Sequence, residues 1–144
     1  MLHFAVAGVP YSTPGKGGTL EGLDHAHSLG ITAMEMEWVQ RVPKNEEHIA
    51  NIRDKAKELG IYLTVHAPYF INLNAIEEEK LEASKIRILD AMEMGQLAGA
   101  HSVCVHPAFY LKMDPEEVYD NVYRATNDIM KRANKKGLTI NLGF

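Results

Sequence analysis

Apolar and polar residues along the chain follow two periods. Ile49, Ile52, Ala56 and Leu59 recur at helical spacing, with Glu47, Arg53, Asp54, Lys57 and Glu58 on the other side, the stripe of a helix with one buried face. Val118, Val122, Ala125 and Ile129 form a second stripe. Ahead of it, Asp114-Pro115-Glu116-Glu117 supplies a capping acceptor, a first-turn proline and a glutamate three residues on. A third helix is predicted from about Ala75 to Leu97, with an acidic first turn at Glu77 to Glu79 and with Leu81, Ile88, Leu89 and Met92 facing inward. A shorter one is predicted near Thr19 to Leu29. Between these helices, short apolar segments predict strands at about Leu2–Ala7, Ala33–Val39, Tyr62–His66, Ser102–His106 and Leu138–Leu142.

Each helix is followed by glycine and then by a strand, at Gly30, Gly60, Gly99 and Gly137, which lie 30, 39 and 38 residues apart. Each reads as a left-handed helix cap, and the intervals fit a repeated strand-loop-helix unit. Strands alternating with helices imply a parallel α/β sheet built by crossovers.

Successive strand residues point to opposite faces. One face collects Phe4, Val6, Met34, Met36, Trp38, Leu63, Val65, Val103, Val105, Ile140 and Leu142, a surface suited to lie beneath helices. The other collects His3, Ala5, Ala7, Glu35, Glu37, Thr64, His66, Cys104, His106, Thr139, Asn141 and Gly143. The interior of a β/α barrel is ordinarily filled by branched apolar residues, so a face this small and titratable reads as a site. His66 and His106 end adjacent strands and are followed by the loops Ala67-Pro68-Tyr69 and Pro107-Ala108-Phe109. That is the catalytic end of such a barrel. Two histidines at matched depth on neighbouring strands point to a metal site, with zinc as its natural ion.

Composition narrows the field. The 46% apolar and 24% charged residues belong to a folded domain, and no apolar run reaches membrane length. The start of the chain lacks a signal-peptide pattern. A lone Cys104, expected to be a buried thiol, excludes an internal disulfide, so a cytoplasmic setting is expected. A net charge of −4 gives no global attraction to nucleic acid, and any DNA contact must be local. His25, His27 and His48 lie in or beside helices and read as exposed or half-packed. His101 opens a strand at the opposite end from the site, and His3 reads as structural. Gly15-Lys16-Gly17-Gly18 lacks P-loop spacing and reads as a flexible loop.

Thr64-Val65-His66-Ala67-Pro68-Tyr69-Phe70-Ile71-Asn72-Leu73 resembles the third-strand motif of endonuclease IV, a branch of the xylose isomerase-like TIM barrels. Val105-His106-Pro107 resembles the fourth-strand motif of that family. Ala7-Gly8-Val9-Pro10-Tyr11-Ser12-Thr13-Pro14 and Ala33-Met34-Glu35-Met36-Glu37-Trp38-Val39 are similar to archaeal members. The resemblance implies a zinc-dependent apurinic/apyrimidinic endonuclease of DNA base excision repair, with His66 and His106 as zinc ligands. It implies that Tyr69 and Phe70 enter DNA beside the extruded abasic nucleotide. Arg41 is a candidate phosphate or groove contact, and Glu37 a candidate support for a ligand.

The resemblance also implies a parallel (β/α) TIM-barrel-type fold truncated after about the fifth strand, with residues 1–144 as the N-terminal portion of one domain. In the family the fifth strand ends with a metal-bridging glutamate. By alternation from Asn141 and Gly143, that position falls one residue past Phe144. Two alternatives stand beside the endonuclease: a metal-dependent sugar isomerase or epimerase on the same barrel, and a non-catalytic fragment. Open strand edges predict a homo-oligomer.

Overall fold

In α/β units the caps decide where each helix starts and stops. The computed structural model describes residues 2–15 and 17–144, so Lys16 of the glycine-rich loop lies outside the described residues. Five strands alternate with four helices: β1 (Ala5–Ala7), α1 (Thr19–Ser28), β2 (Ala33–Glu37), α2 (Glu46–Leu59), β3 (Tyr62–His66), α3 (Glu78–Leu97), β4 (Ser102–Cys104), α4 (Pro115–Lys135) and β5 (Asn141–Gly143). The side chains of Asn45 and Asp114 cap α2 and α4 by accepting from His48 N–H at 3.0 Å and Glu116 N–H at 2.9 Å. All four expected glycines have positive φ, between 67° and 75°. The residue after each donates its N–H to the helix carbonyl five residues back: Ile31 to Ala26, Ile61 to Ala56, Ala100 to Gly95 and Leu138 to Ala133, at 2.9–3.0 Å. One motif therefore turns every helix into the next strand.

The strands lie in the order β1-β2-β3-β4-β5, all parallel. Met34, Met36, Leu63, Val65, Val103, Val105 and Ile140 are buried and join Leu23, Ile49, Ile52, Ile88, Met92 and Ile129 in one core, each side chain contributing roughly 1.5–3 kcal/mol on burial. Gly95 brings α3 close: a Cβ there would stand 3.0 Å from Ile140 Cδ1 and 3.4 Å from Val103 Cγ2. No helix among the described residues is long and apolar enough to cross a membrane.

The structure corrects several expectations. Phe4 is 69% exposed rather than lying beneath helices, because it precedes β1 at a sheet edge that nothing among the described residues covers. Cys104 is half-buried rather than buried, since it points to the open face. The paired strands are shorter at β1, β2 and β4, and β5 begins at Asn141 rather than Leu138. Single bonds continue past the ladders, from Trp38 N–H to the His66 carbonyl at 3.1 Å and from Val105 N–H to the Gly143 carbonyl at 3.0 Å. The third helix begins at Glu78 rather than Ala75, after a turn organised by asparagine side chains.

Candidate functional site

His66 is the last residue of β3, and its register partners are Glu37 on β2 and Cys104 on β4. His106 therefore stands one inward-facing step beyond His66 along the sheet, and not at matched depth. The side chains close the gap on a diagonal: the two Nε2 atoms are 3.2 Å apart and the ring centroids 5.0 Å apart. His66 Nδ1 lies 2.8 Å from the Ala67 carbonyl. A carbonyl only accepts, so Nδ1 carries the proton and the Nε2 lone pair is left for a ligand. Two nitrogens bound tetrahedrally to one zinc at ~2.0–2.1 Å stand about 3.3 Å apart, which the observed separation matches. The residues present fit a metal ion. Among the described residues no group of three His, Cys, Asp or Glu side chains is placed to hold one.

Tyr69 is half-exposed and stands edge-on to His66, with centroids 5.1 Å apart at 73°, and 6.0 Å from His106. Its N–H donates to the Val39 carbonyl at 3.1 Å, which ties the loop to the end of β2. Phe70 is exposed. It lines an open groove of about 780 Å³ with Tyr69, Phe109, Lys80 and Arg87. Glu37 lies beside His66 in register, yet no hydrogen bond joins the two among the described residues. Its carboxylate turns toward Gly8, where a Cβ would stand 2.7 Å from Oε2, and the φ of 69° there favours glycine. Arg41 is exposed between β2 and α2, with no side-chain hydrogen bond among the described residues. His27 and His48 are exposed, and His25 bonds Ser12 Oγ at 2.8 Å, as expected of histidines outside the site.

Sequence reasoning assigned nothing to Asn72, Asn74 and Ser84. The Ser84 hydroxyl accepts from Asn72 N–H at 3.0 Å and donates to the Lys80 carbonyl at 2.8 Å. Asn72 Oδ1 accepts from Asn74 N–H at 3.0 Å. Only the bond from Asn74 N–H to Asn72 is local, an Asx turn that asparagine favours.

The chain is 32% identical over 142 residues to an uncharacterized protein of Methanocaldococcus jannaschii, matching 99% of this chain and 50% of that protein. It thus spans about half the length of that curated relative. Endonuclease IV from Thermus thermophilus superposes with a TM-score of 0.59 at 26% identity, over 88% of this chain and 46% of that one. A D-psicose 3-epimerase solved with D-fructose superposes with a TM-score of 0.75 at 20% identity, over 98% and 51%, a likeness of fold. Residues 23–142 match the family model described as xylose isomerase-like TIM barrel. The parallel five-stranded sheet is the corresponding part of such a barrel, and the chain belongs to the xylose isomerase-like TIM barrel family.

Proposed function

We propose that this chain carries two histidine ligands of a zinc-dependent endonuclease IV-type site that cleaves DNA at abasic positions. The observation that carries the reading is the convergence of His66 and His106, Nε2 to Nε2 at 3.2 Å, beneath the ring of Tyr69. Zinc would supply Lewis acidity at a phosphodiester and a hydroxide nucleophile. The chain's own residues do the rest. His66, fixed by the Ala67 carbonyl, and His106 hold the ion by Nε2, while Tyr69 and Phe70 stack against or wedge beside an extruded nucleotide. Arg41 contacts a phosphate, and Glu37, whose carboxylate faces Gly8, balances positive charge on the inner face.

Two ligands bind zinc weakly, so the 144-residue chain is expected to cleave little by itself. Further ligands would come from chain of the length its relatives have. The open inner face and the free edges of β1 and β5 favour self-association of the chain as it stands, and its expected setting is the cytoplasm. A sugar isomerase or epimerase is the second reading. It is favoured by the inner-face carboxylates Glu35 and Glu37 with the Thr64 hydroxyl, groups that hydrogen-bond sugar hydroxyls.

Native mass spectrometry of the parent and of a His66→Ala/His106→Ala double variant tests the metal. Zinc should be bound by the parent and lost from the variant, and equal zinc in both would end this reading. A protein extended to the length of its relatives should cleave abasic duplex with zinc dependence. Epimerisation of ketohexoses with no DNA cleavage would establish the sugar reading instead.

A further inference from the structure

The loop after β3 and the loop after β4 carry the site, and side chains join them. Asn72 Oδ1 accepts Phe109 N–H at 3.3 Å in addition to Asn74 N–H, so a single carboxamide oxygen bridges the two loops. Asn74 is buried, only 3% exposed. Its Nδ2 donates to the Phe109 carbonyl at 2.9 Å and to the Met113 sulfur at 3.5 Å, and its Oδ1 accepts from Asn121 Nδ2 at 2.8 Å. Every polar atom of that side chain is thereby matched. Between the two asparagines, Leu73 N–H donates to the Pro107 carbonyl at 2.7 Å.

These bonds bear on the histidines through their chain neighbours, the nearest ending on Pro107 beside His106. His66 is fixed by ladders on both sides, to β2 and to β4. His106 lies two residues past the end of β4, where no ladder fixes it. Its next neighbour, Pro107, is the residue whose carbonyl Leu73 grips. Tyr69, whose ring centroid lies 5.1 Å from that of His66 and 6.0 Å from that of His106, is carried three residues before Asn72 on the same loop. A ligand pair must hold its geometry to within about 0.5 Å, and the ladders reach only His66, while the last sheet bond on the other side stops one residue short of His106, at Val105 N–H to the Gly143 carbonyl.

We propose that Asn72 and Asn74 form a clamp that positions His106 against His66, an inference that rests on the metal reading only for its functional consequence. Asn72 acts through an acceptor alone, so Asn72→Asp retains the bridge and Asn72→Ala removes it. Asn74→Ala removes the buried links.

Two measurements on the full chain separate the clamp from the metal reading. In metal-free protein, nuclear Overhauser contacts between the His66 and His106 rings should be present in the parent and in Asn72→Asp. They should weaken or vanish in Asn72→Ala and Asn74→Ala, with faster amide exchange at Leu73 and Phe109. In cobalt titrations, affinity should fall about tenfold or more in the two alanine variants and hold in Asn72→Asp. Ile129→Val, a core change of moderate cost, should lower the unfolding midpoint without moving either readout. Unchanged ring contacts in both alanine variants would overturn the clamp, whatever cobalt does. A parent that binds no more cobalt than His66→Ala, with the ring contacts behaving as described, would overturn the metal reading and leave the clamp standing.

Discussion

The same two residue types, tyrosine and histidine, meet at opposite ends of the strands and do different things. At the N-terminal end, Tyr62 lies between His3 and His101. Its ring stacks on His101 at 3.7 Å and 9°, and lies tilted against His3 at 4.5 Å and 32°. At the C-terminal end, Tyr69 stands over His66 and His106 without stacking on them, and the two imidazoles turn their Nε2 atoms toward each other. The lone pairs of imidazole lie in the ring plane. Stacking uses the faces and sends the lone pairs outward, whereas ligation needs edges that converge. Position on the strand decides which occurs: Tyr62 is the first residue of β3, while Tyr69 is carried by the loop beyond its end. His3 Nδ1 is buried without a hydrogen-bond partner among the described residues.

The largest expected effect breaks or confirms this contrast. Removing His66 or His106 should cost zinc affinity beyond the roughly 10–100-fold typical of outer partners. Removing His3 or His101 should leave it unchanged. Zinc titration of the parent and the four single alanine variants reads this out. Equal loss from His101→Ala would show that the two ends are not chemically distinct.

A smaller effect sharpens the contrast from the side of stability. Each aromatic contact of Tyr62 is worth about 0.5–1.5 kcal/mol beyond its burial, so Tyr62→Ala should lower unfolding free energy by roughly 1–2 kcal/mol. Tyr62→Phe, which keeps the ring, should remain close to the parent. Tyr69→Ala, which removes one edge-on pair at an exposed position, should cost no more than about 1 kcal/mol and instead weaken binding to abasic duplex in a full-length protein. Urea unfolding of the three variants makes the comparison, and a larger loss at Tyr69 than at Tyr62 would reverse the assigned roles.

The contrast was partly legible in the sequence. Alternation assigned His66 and His106 to the inward face, and the glycine caps fixed the four helix-to-strand turns, because both signals are local. The diagonal between the two histidines was not legible, since register depends on how neighbouring ladders pair, and His66 pairs with Cys104. The asparagine clamp was missed for the same reason: Asn74 reaches Phe109 and Asn121 across 35 and 47 residues of sequence. Phe4 misled because its apolar ring suits a covered face, and whether an edge is covered depends on which elements stand beside it.

Acid sensitivity is the smallest effect, and the ion pairs between α3 and α4 contribute to it. Arg132 donates to both carboxylate oxygens of Glu82, and its Nη2 lies 2.8 Å from Asp128. Lys85 bonds Asp128 at 3.0 Å, so α3 is tied to α4. The hydrogen bond from Arg132, helped by its charge and that of Lys85, holds the Glu82 carboxyl below its ordinary 4.5. The hydrogen bond from Lys85, joined by that from Arg132, holds Asp128 below 3.8. A carboxylate whose pKa is depressed by folding contributes stability fully above its unfolded pKa and loses it as pH falls through the folded one. The tie should therefore be intact above about pH 5 and fade from about pH 4.5 downward. Both carboxylates are 38% exposed, and solvent screening limits the contribution to about 1 kcal/mol or less. A Glu82→Gln/Asp128→Asn variant should be less stable than the parent by about that amount near pH 7, with the gap narrowing below about pH 4.5. An acid slope that survives removal of both carboxylates would move the source of acid sensitivity elsewhere in the fold.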